Sequence, residues 1–368
     1  MSDRPFPASF VLPDLVAHCQ YPLRVNKHCY GVARESEKWL LSGAKLSPAR
    51  ADKFMGLKAG ELTAACYPDA DPYHLRVCDD FMNYLFNLDD WLDEFDLDDT
   101  YGLAKCCLAA MRDPFTFETD KKAGLMTKSF FSRFVRTAGP GCTERFIQNM
   151  DLFFQSVAQQ TQDRAQGVIP DMESYLALRR DNSGCKPCFQ LTEFAAGIDL
   201  PEEVVQHPVI QSLEEASNDL VTWSNDIFSF NVEQSRNDTF NLVPVIMHEK
   251  GFSLQEAVDF VGDLCKKTID RFENDKQRVP SWGPELDSQV QIYIDGLQNW
   301  IVGTYCVLLP PPLGGAAVLV KKANAAFMRV HLGSLHWSFD STRYFGSLGQ
   351  EIKKHREVKL LPKRRKSA

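Results

Sequence analysis

The chain has 368 residues, 44% of them hydrophobic, and 49 acidic side chains against 41 basic ones. The net charge of −8 argues against nucleic-acid binding as the main activity. No apolar run approaches the ~18 residues of a membrane span, and Met1 to Pro13 lacks a signal-peptide pattern, so a cytoplasmic protein is expected.

The apolar periodicity is helical almost throughout. Phe81, Leu85, Leu88 and Leu92 form one stripe, and Asp89 and Asp93 continue the same side. These two belong to a D-D-x-x-D run, Asp89-Asp90-Trp91-Leu92-Asp93, and from Asp89 to Asp99 seven of eleven residues are acidic with no Lys or Arg among them. Like charges one turn apart cost a few tenths of a kcal/mol per pair. A solvated acidic face tolerates that cost, but it does not explain carboxylates that extend an apolar wall. Further helices are expected around Leu103–Met111, Lys128–Arg136, Glu144–Gln162, Met172–Arg180, Pro208–Glu233, Leu254–Asn274 and Leu286–Ile301. Breakers fall at Pro68 with Pro72, Gly139-Pro140-Gly141, Pro170, and Pro280 with Pro284. Few runs alternate as strands do. The expected fold is all-α, a layer of helices around a central cavity, and no linker divides residues 1–368, so one domain is expected. Cys185-Lys186-Pro187-Cys188 has no second pair at zinc-ribbon spacing, so the 11 cysteines read as reduced, partly buried thiols.

The second acidic motif is mixed. Asn225, Ser229 and Glu233 recur at i, i+4 and i+8, which puts an amide oxygen, a hydroxyl and a carboxylate on one helix face. Two rows of hard oxygen donors suit divalent cations gathered around a shared anion, a pyrophosphate above all. Asp226 lies off that face and is expected to pair with a base or cap a helix. Arg179 lies 46 residues before Asn225, and Arg343-Tyr344 follows Trp337 as W-x5-R-Y.

Thr304 to Gly333 interrupts an otherwise helical pattern with Pro310-Pro311-Pro312 and Gly314-Gly315, and it has no acidic residue. Two readings stay open for 304–333, a surface insertion or a translated retained intron. Beyond it, Lys353 to Lys366 carries eight basic residues and one Glu. The tail, 353–368, is expected to be solvated.

The two motifs, Arg179 and the W-x5-R-Y run together resemble the class I terpene cyclases, specifically the fungal sesquiterpene synthases, over most of the chain. The resemblance implies a single-domain helical bundle around an active-site cavity. It implies that Asn225, Ser229 and Glu233 bind one Mg²⁺ ion and that Asp89, with Asp93, takes part in binding two more. Arg179, Arg236 and Arg343 become candidates to grip a diphosphate in a guanidinium fork, with Tyr344 adding a hydroxyl. Asn182 and the Ser183 carbonyl fall in the family's linker and effector positions. Phe86, Phe189 and Trp337 are candidate aromatic faces for a carbocation. The lysine often found beside the last ligand is absent, since Val232 stands there. The implied activity is Mg²⁺-dependent cyclisation of farnesyl diphosphate by a monomer or homodimer. The alternative is a non-catalytic or impaired member of the same fold that binds an isoprenoid diphosphate. Removing 304–333 shortens the Asn225-to-Arg343 spacing from 118 to 88 residues, close to the family pattern.

Overall fold

Side chains that take up the first free N–H groups set where the helices start. Asp71 accepts from the N–H groups of Tyr73 and His74 at 2.8 and 3.0 Å, and Asp96 and Asp171 do the same for Asp99 and Ser174. Ser253 and Glu256 form a reciprocal capping box. Pro72, Pro140 and Pro284, which read as breakers, are the first residues of helices, where a missing N–H costs nothing.

The computed structural model describes residues 8–305 and 342–363. In chain order the elements are β1 (Ser9–Val11), α1 (Cys29–Ala44), α2 (Pro48–Met55), α3 (Ala59–Cys66), α4 (Pro72–Leu92), α5 (Leu97–Arg112), α6 (Lys122–Phe134) and α7 (Pro140–Gln166). Then come α8 (Met172–Asn182), α9 (Cys185–Ala196), α10 (Glu202–Val205), α11 (Pro208–Ser235), α12 (Leu242–Lys250), α13 (Leu254–Lys276) and α14 (Pro284–Tyr305). The last are α15 (Thr342–Phe345), a 3-10 turn (Gly346–Leu348), α16 (Gly349–His355) and β2 (Glu357–Lys359). The all-α expectation holds. The helices α1, α2, α3, α9, α10 and α12 had escaped the periodicity; α2, α3, α10 and α12 are only four to nine residues long and show little more than two turns of pattern, whereas α1 has 16 residues and α9 12.

An aromatic cluster joins α4, α6, α7 and α9. Phe81 and Phe146 lie 5.0 Å apart by ring centroid, Phe134 and Phe146 5.1 Å, and Phe134 and Phe194 4.7 Å. Most of the phenylalanines sit in such packing. The described cysteines are free thiols. Burial pushes Cys185 up to about 11 and Cys188 well above the ordinary thiol range, which makes the C-x-x-C unreactive.

One expectation needs correction. The basic tail is not wholly solvated: β2 pairs antiparallel with β1, Phe10 opposite Val358, and both of those side chains are buried. Thr304 and Tyr305, the first residues of 304–333, continue α14 as its buried last turn. The rest of 304–333, Trp337 and residues 364–368 lie outside the described residues.

Asp79, inside α4, is fully buried. Its Oδ1 accepts from Thr63 Oγ1 and Asn83 Nδ2, each at 3.1 Å, and its Oδ2 has no hydrogen-bond partner among the described residues. Burial, with the neighbouring Asp80 charge, pushes its pKa up to about 8. An unfolded Asp ionises near pH 4. Between about pH 4 and 8 folding therefore takes up a proton. The stabilisation is complete below that window and is lost as pH rises through it. Asp79→Asn should flatten this decline. Thermal melts at pH 5 and pH 8.5 should show a smaller drop in Tm for the variant than for the wild type, and an equal drop would mean Asp79 is ionised in the fold.

Candidate active site

A cavity of about 240 Å³ opens among α2, α3, α4, α7, α8, α9, α11, α14 and α15. That is several times the ~30 Å³ share of one water molecule, enough for an organic substrate. Its floor is apolar, with Leu62, Met82, Leu85, Phe86, Phe153 and Trp300 among the lining residues. Its mouth is polar and carries Asp89, Asp93, Arg179, Asn225, Ser229, Glu233, Arg236 and Tyr344. The two acidic motifs, far apart in sequence, thus face one space.

Helix α4 ends at Leu92, so Asp93 is the residue that caps it. The Asp93 N–H still donates to the Asp89 carbonyl at 3.0 Å, which keeps the two carboxylates one turn apart. Asp93 lies 3.7 Å from Arg164, and Asp90 lies 3.9 Å from Lys53. Glu94 turns away from the cavity and pairs with Arg50. Sequence reasoning missed Lys53 and Arg164 because nothing local marks a lysine or arginine as facing a distant acidic helix.

On α11, Asn225 has both ends of its amide engaged. Its Oδ1 accepts from Arg179 Nη2 at 2.9 Å, and its Nδ2 donates to Tyr344 Oη at 2.6 Å. Asp226 faces the other way and does both things expected of it. It pairs with Arg179 at 3.0 Å, and its Oδ2 accepts from the Leu242 N–H at the start of α12 at 3.1 Å. Asn241, the cap of α12, donates to the Asp226 carbonyl at 2.7 Å and to Glu233 Oε2 at 2.9 Å. It braces the second motif from behind. An Asn just before the apolar run Leu242–Ile246 was the available signal.

Asn182 ends α8 and donates to Gln160 Oε1 at 2.9 Å, and Ser183 Oγ donates to Asn218 Oδ1 at 3.0 Å. Gly184 then adopts φ 73°, and an added Cβ there would lie 2.8 Å from Leu85. Only glycine allows the chain to break between α8 and α9 this close to α4. Phe86 lines the cavity. Phe189 is not among the lining residues: it is buried one layer back, with its ring edge-on to Trp300 at 6.2 Å. Trp300 holds the inner position instead. Arg343 lies in α15 with its side chain outside the described ones.

Among the described residues no three His, Cys, Asp or Glu side chains converge tightly enough to close a metal site. The donors present are hard oxygens of mixed type on two separate rows. They fit an ion that keeps waters and completes its shell with oxygens from a bound anion. Asp89, Asp93, Asn225, Ser229 and Glu233 would hold such ions.

A helical shell with an apolar floor, two rows of oxygen donors and a guanidinium at its mouth defines the class I terpene cyclases. A family model described as terpene synthase family 2, C-terminal metal binding, matches residues 80–271. Sesquiterpene synthase 1 of Postia placenta is 50% identical over 358 residues, covering 97% of each chain. Alpha-muurolene synthase of Coprinopsis cinerea is 47% identical over 363 residues, 96% of this chain and 78% of that one. Among solved structures, germacradien-4-ol synthase from Streptomyces citricolor matches with a TM-score of 0.68 at 23% identity, over 77% of this chain and 94% of that one, a likeness of fold. The chain belongs to the terpene synthase family, among the fungal sesquiterpene synthases. It is an enzyme of the lyase class with a divalent-metal-binding domain, and the non-catalytic alternative is not favoured. No helix among the described residues is long and apolar enough to cross a membrane.

The site's charges are poised against metal loading. Burial, with the nearby Asp226 and Asp238 charges, pushes Glu233 up to about 8. Asp93 rises to about 6 through burial and the Asp89 charge, although its side chain is 48% exposed and solvent moderates the effect. A carboxylate ligand must lose its proton to bind a cation. Metal affinity should therefore rise from pH 6 to pH 8, with proton release on binding. Titration calorimetry in two buffers of different ionisation enthalpy measures this, and zero proton release at pH 6.5 would exclude it. Asp89→Asn should also cost far more turnover than Glu94→Gln, since one lines the cavity and the other pairs with Arg50 outside it. Equal losses in steady-state assays would contradict the assignment of the ligand face.

Proposed function

We propose that the chain ionises farnesyl diphosphate in the presence of Mg²⁺, three ions in the loaded site, and cyclises the resulting cation to a sesquiterpene. The observation that carries this reading is that both donor rows and Arg179 open into one apolar cavity. Bound ions would supply the charge that makes diphosphate a good leaving group. Arg179, Arg236 and Arg343 would bind its oxygens as permanently charged donors, and Tyr344 would add a hydroxyl.

The chain's own residues must then keep the allylic cation dry and unreacted. Phe86 and Trp300 offer ring faces, worth ~0.5–2 kcal/mol each to a nearby cation. Thr222 Oγ1 donates to the Asn218 carbonyl at 2.9 Å, and Thr304 Oγ1 donates to the Trp300 carbonyl at 2.9 Å. Both hydroxyl protons are thus spent inside their own helices, which lowers the polarity that these two cavity residues present. No nucleophilic side chain is needed.

Incubation with geranyl, farnesyl and geranylgeranyl diphosphate plus MgCl₂ tests the reading by mass spectrometry of volatiles. A cyclic C15 product from farnesyl diphosphate is expected, and silence with all three substrates would overturn the proposal. Asn225→Ala and Glu233→Ala should each leave less than about a tenth of wild-type turnover, a barrier increase above roughly 1.4 kcal/mol, with little change in the far-UV spectrum. Retained turnover in either would remove the second row from the chemistry.

A further inference from the structure

The helix that carries the second motif is bonded on its far side by β2 and the residues that follow it. Asn231 is two residues past Ser229, about 200° around α11 and away from the cavity. Its Nδ2 donates to the Lys359 carbonyl at 3.0 Å, and its Oδ1 accepts from the Leu361 N–H at 2.9 Å. Gln234 Nε2 donates to the Leu361 carbonyl at 2.8 Å. On the opposite edge of the ribbon, Gln255 of α13 does the same for β1. It accepts from the Val11 N–H at 2.8 Å and donates to the Val11 carbonyl at 3.1 Å. Each amide supplies one donor and one acceptor, as a neighbouring strand would. A two-stranded ribbon is marginal alone, so these side-chain clamps and the buried Phe10 and Val358 fix where it sits.

The segment that leads into the ribbon meets α11 at successive turns. Tyr344 bonds Asn225, and Tyr344 and Phe345 pack on Phe228 with centroids 6.3 and 6.1 Å away. The ribbon then bonds Asn231 and Gln234. Positions 225, 228, 231 and 234 recur at i+3, so the contact stripe drifts around the helix from the cavity face to the rear. The same chain segment therefore touches the reacting end of the site at one point and is anchored outside it at another.

We propose that Asn231 is a positioning residue for the diphosphate end of the site. By holding the C-terminal strand to the back of α11 it sets the register of Tyr344 against Asn225. The inference rests on the diphosphate reading given above.

The test is a double-mutant cycle on the full chain with Asn231→Leu, Tyr344→Phe and the pair. The readout is the Kd for inorganic pyrophosphate in saturating MgCl₂ by calorimetry, with kcat and KM for farnesyl diphosphate alongside. Asn231→Leu is expected to weaken pyrophosphate binding about tenfold at a temperature well below its melting point. The double variant should bind no more weakly than the weaker single one, because both act through one contact. A purely structural Asn231 would lower Tm and leave Kd unchanged, and that result overturns the proposal. So do losses that multiply in the double variant. If Asn231→Leu gives no folded protein, Asn231→Asp takes its place in every arm. It keeps the acceptor for Leu361 and removes the donor to Lys359. A wild type that neither binds pyrophosphate nor turns over any prenyl diphosphate would fail the functional reading itself. A normal wild type beside a normal Asn231 variant fails only this inference.

Discussion

The buried pair of Asp226 and Arg179 is the contact on which the site's geometry depends. Asp226 is 2% exposed and accepts from Tyr175 Oη at 2.5 Å, from Arg179 Nε and Nη2 at 3.2 and 3.0 Å, and from the Leu242 N–H. One carboxylate thus joins α8, α11 and the start of α12. Removing one partner of a buried pair costs about 3–5 kcal/mol, because the other charge is left unpaired. That cost is tolerable only if the pair fixes something. Here it fixes a guanidinium: Arg179 Nη2 is shared between Asp226 and Asn225, so the cation stands beside the first residue of the second motif. Coulombic attraction from Asp226 and Glu233 raises the Arg179 pKa against the effect of burial, so its charge does not depend on pH.

The lining of the cavity beside that pair combines two environments. One part is hydrocarbon, ring and thiol, with the hydroxyls of Thr222 and Thr304 bonded within their own helices. The other holds carboxylates and cations in near balance, several of them already paired with one another. Lys53 with Asp90 and Arg164 with Asp93 are long, partly exposed contacts of small value. An arriving anion and its counter-ions can rearrange them cheaply. The strong contacts hold the frame, and the weak ones occupy the mouth.

What the sequence made legible was local. The i+4 spacing of Asn225, Ser229 and Glu233 put them on one face, and the same spacing put Asp226 off it, because a helix rotates by a fixed angle per residue. The prolines marked chain boundaries as breakers, because a residue without an N–H does not fit a helix interior, but the Asp caps went unread. Long-range choices were not legible. Whether Phe189 or Trp300 faces the cavity depends on how α9 and α14 pack, since both are apolar helix residues with the same pattern. Asn241 and Asn231 look like ordinary polar residues until chain segments 8 and 128 positions away from their partners are brought beside them. The tail looked solvated because lysines and arginines outnumber its apolar residues, and one buried Val358 was enough to pin it.

Val232 shows how charge can move along such a frame. It lines the cavity where the family resemblance expects a lysine. Arg236 follows it by four residues, just beyond the end of α11, and also lines the cavity. Residues four apart on a helix share a face, so Arg236 puts a cation on the side of Val232, one turn further along the chain. A guanidinium there has a longer reach and a planar fork in place of a point charge. Arg179 on α8, Arg164 on α7 and Lys53 on α2 stand around the same opening. Positive charge at the mouth is therefore distributed over separate elements and does not reside in a single motif, so it offsets the carboxylates of both acidic motifs without a lysine at position 232.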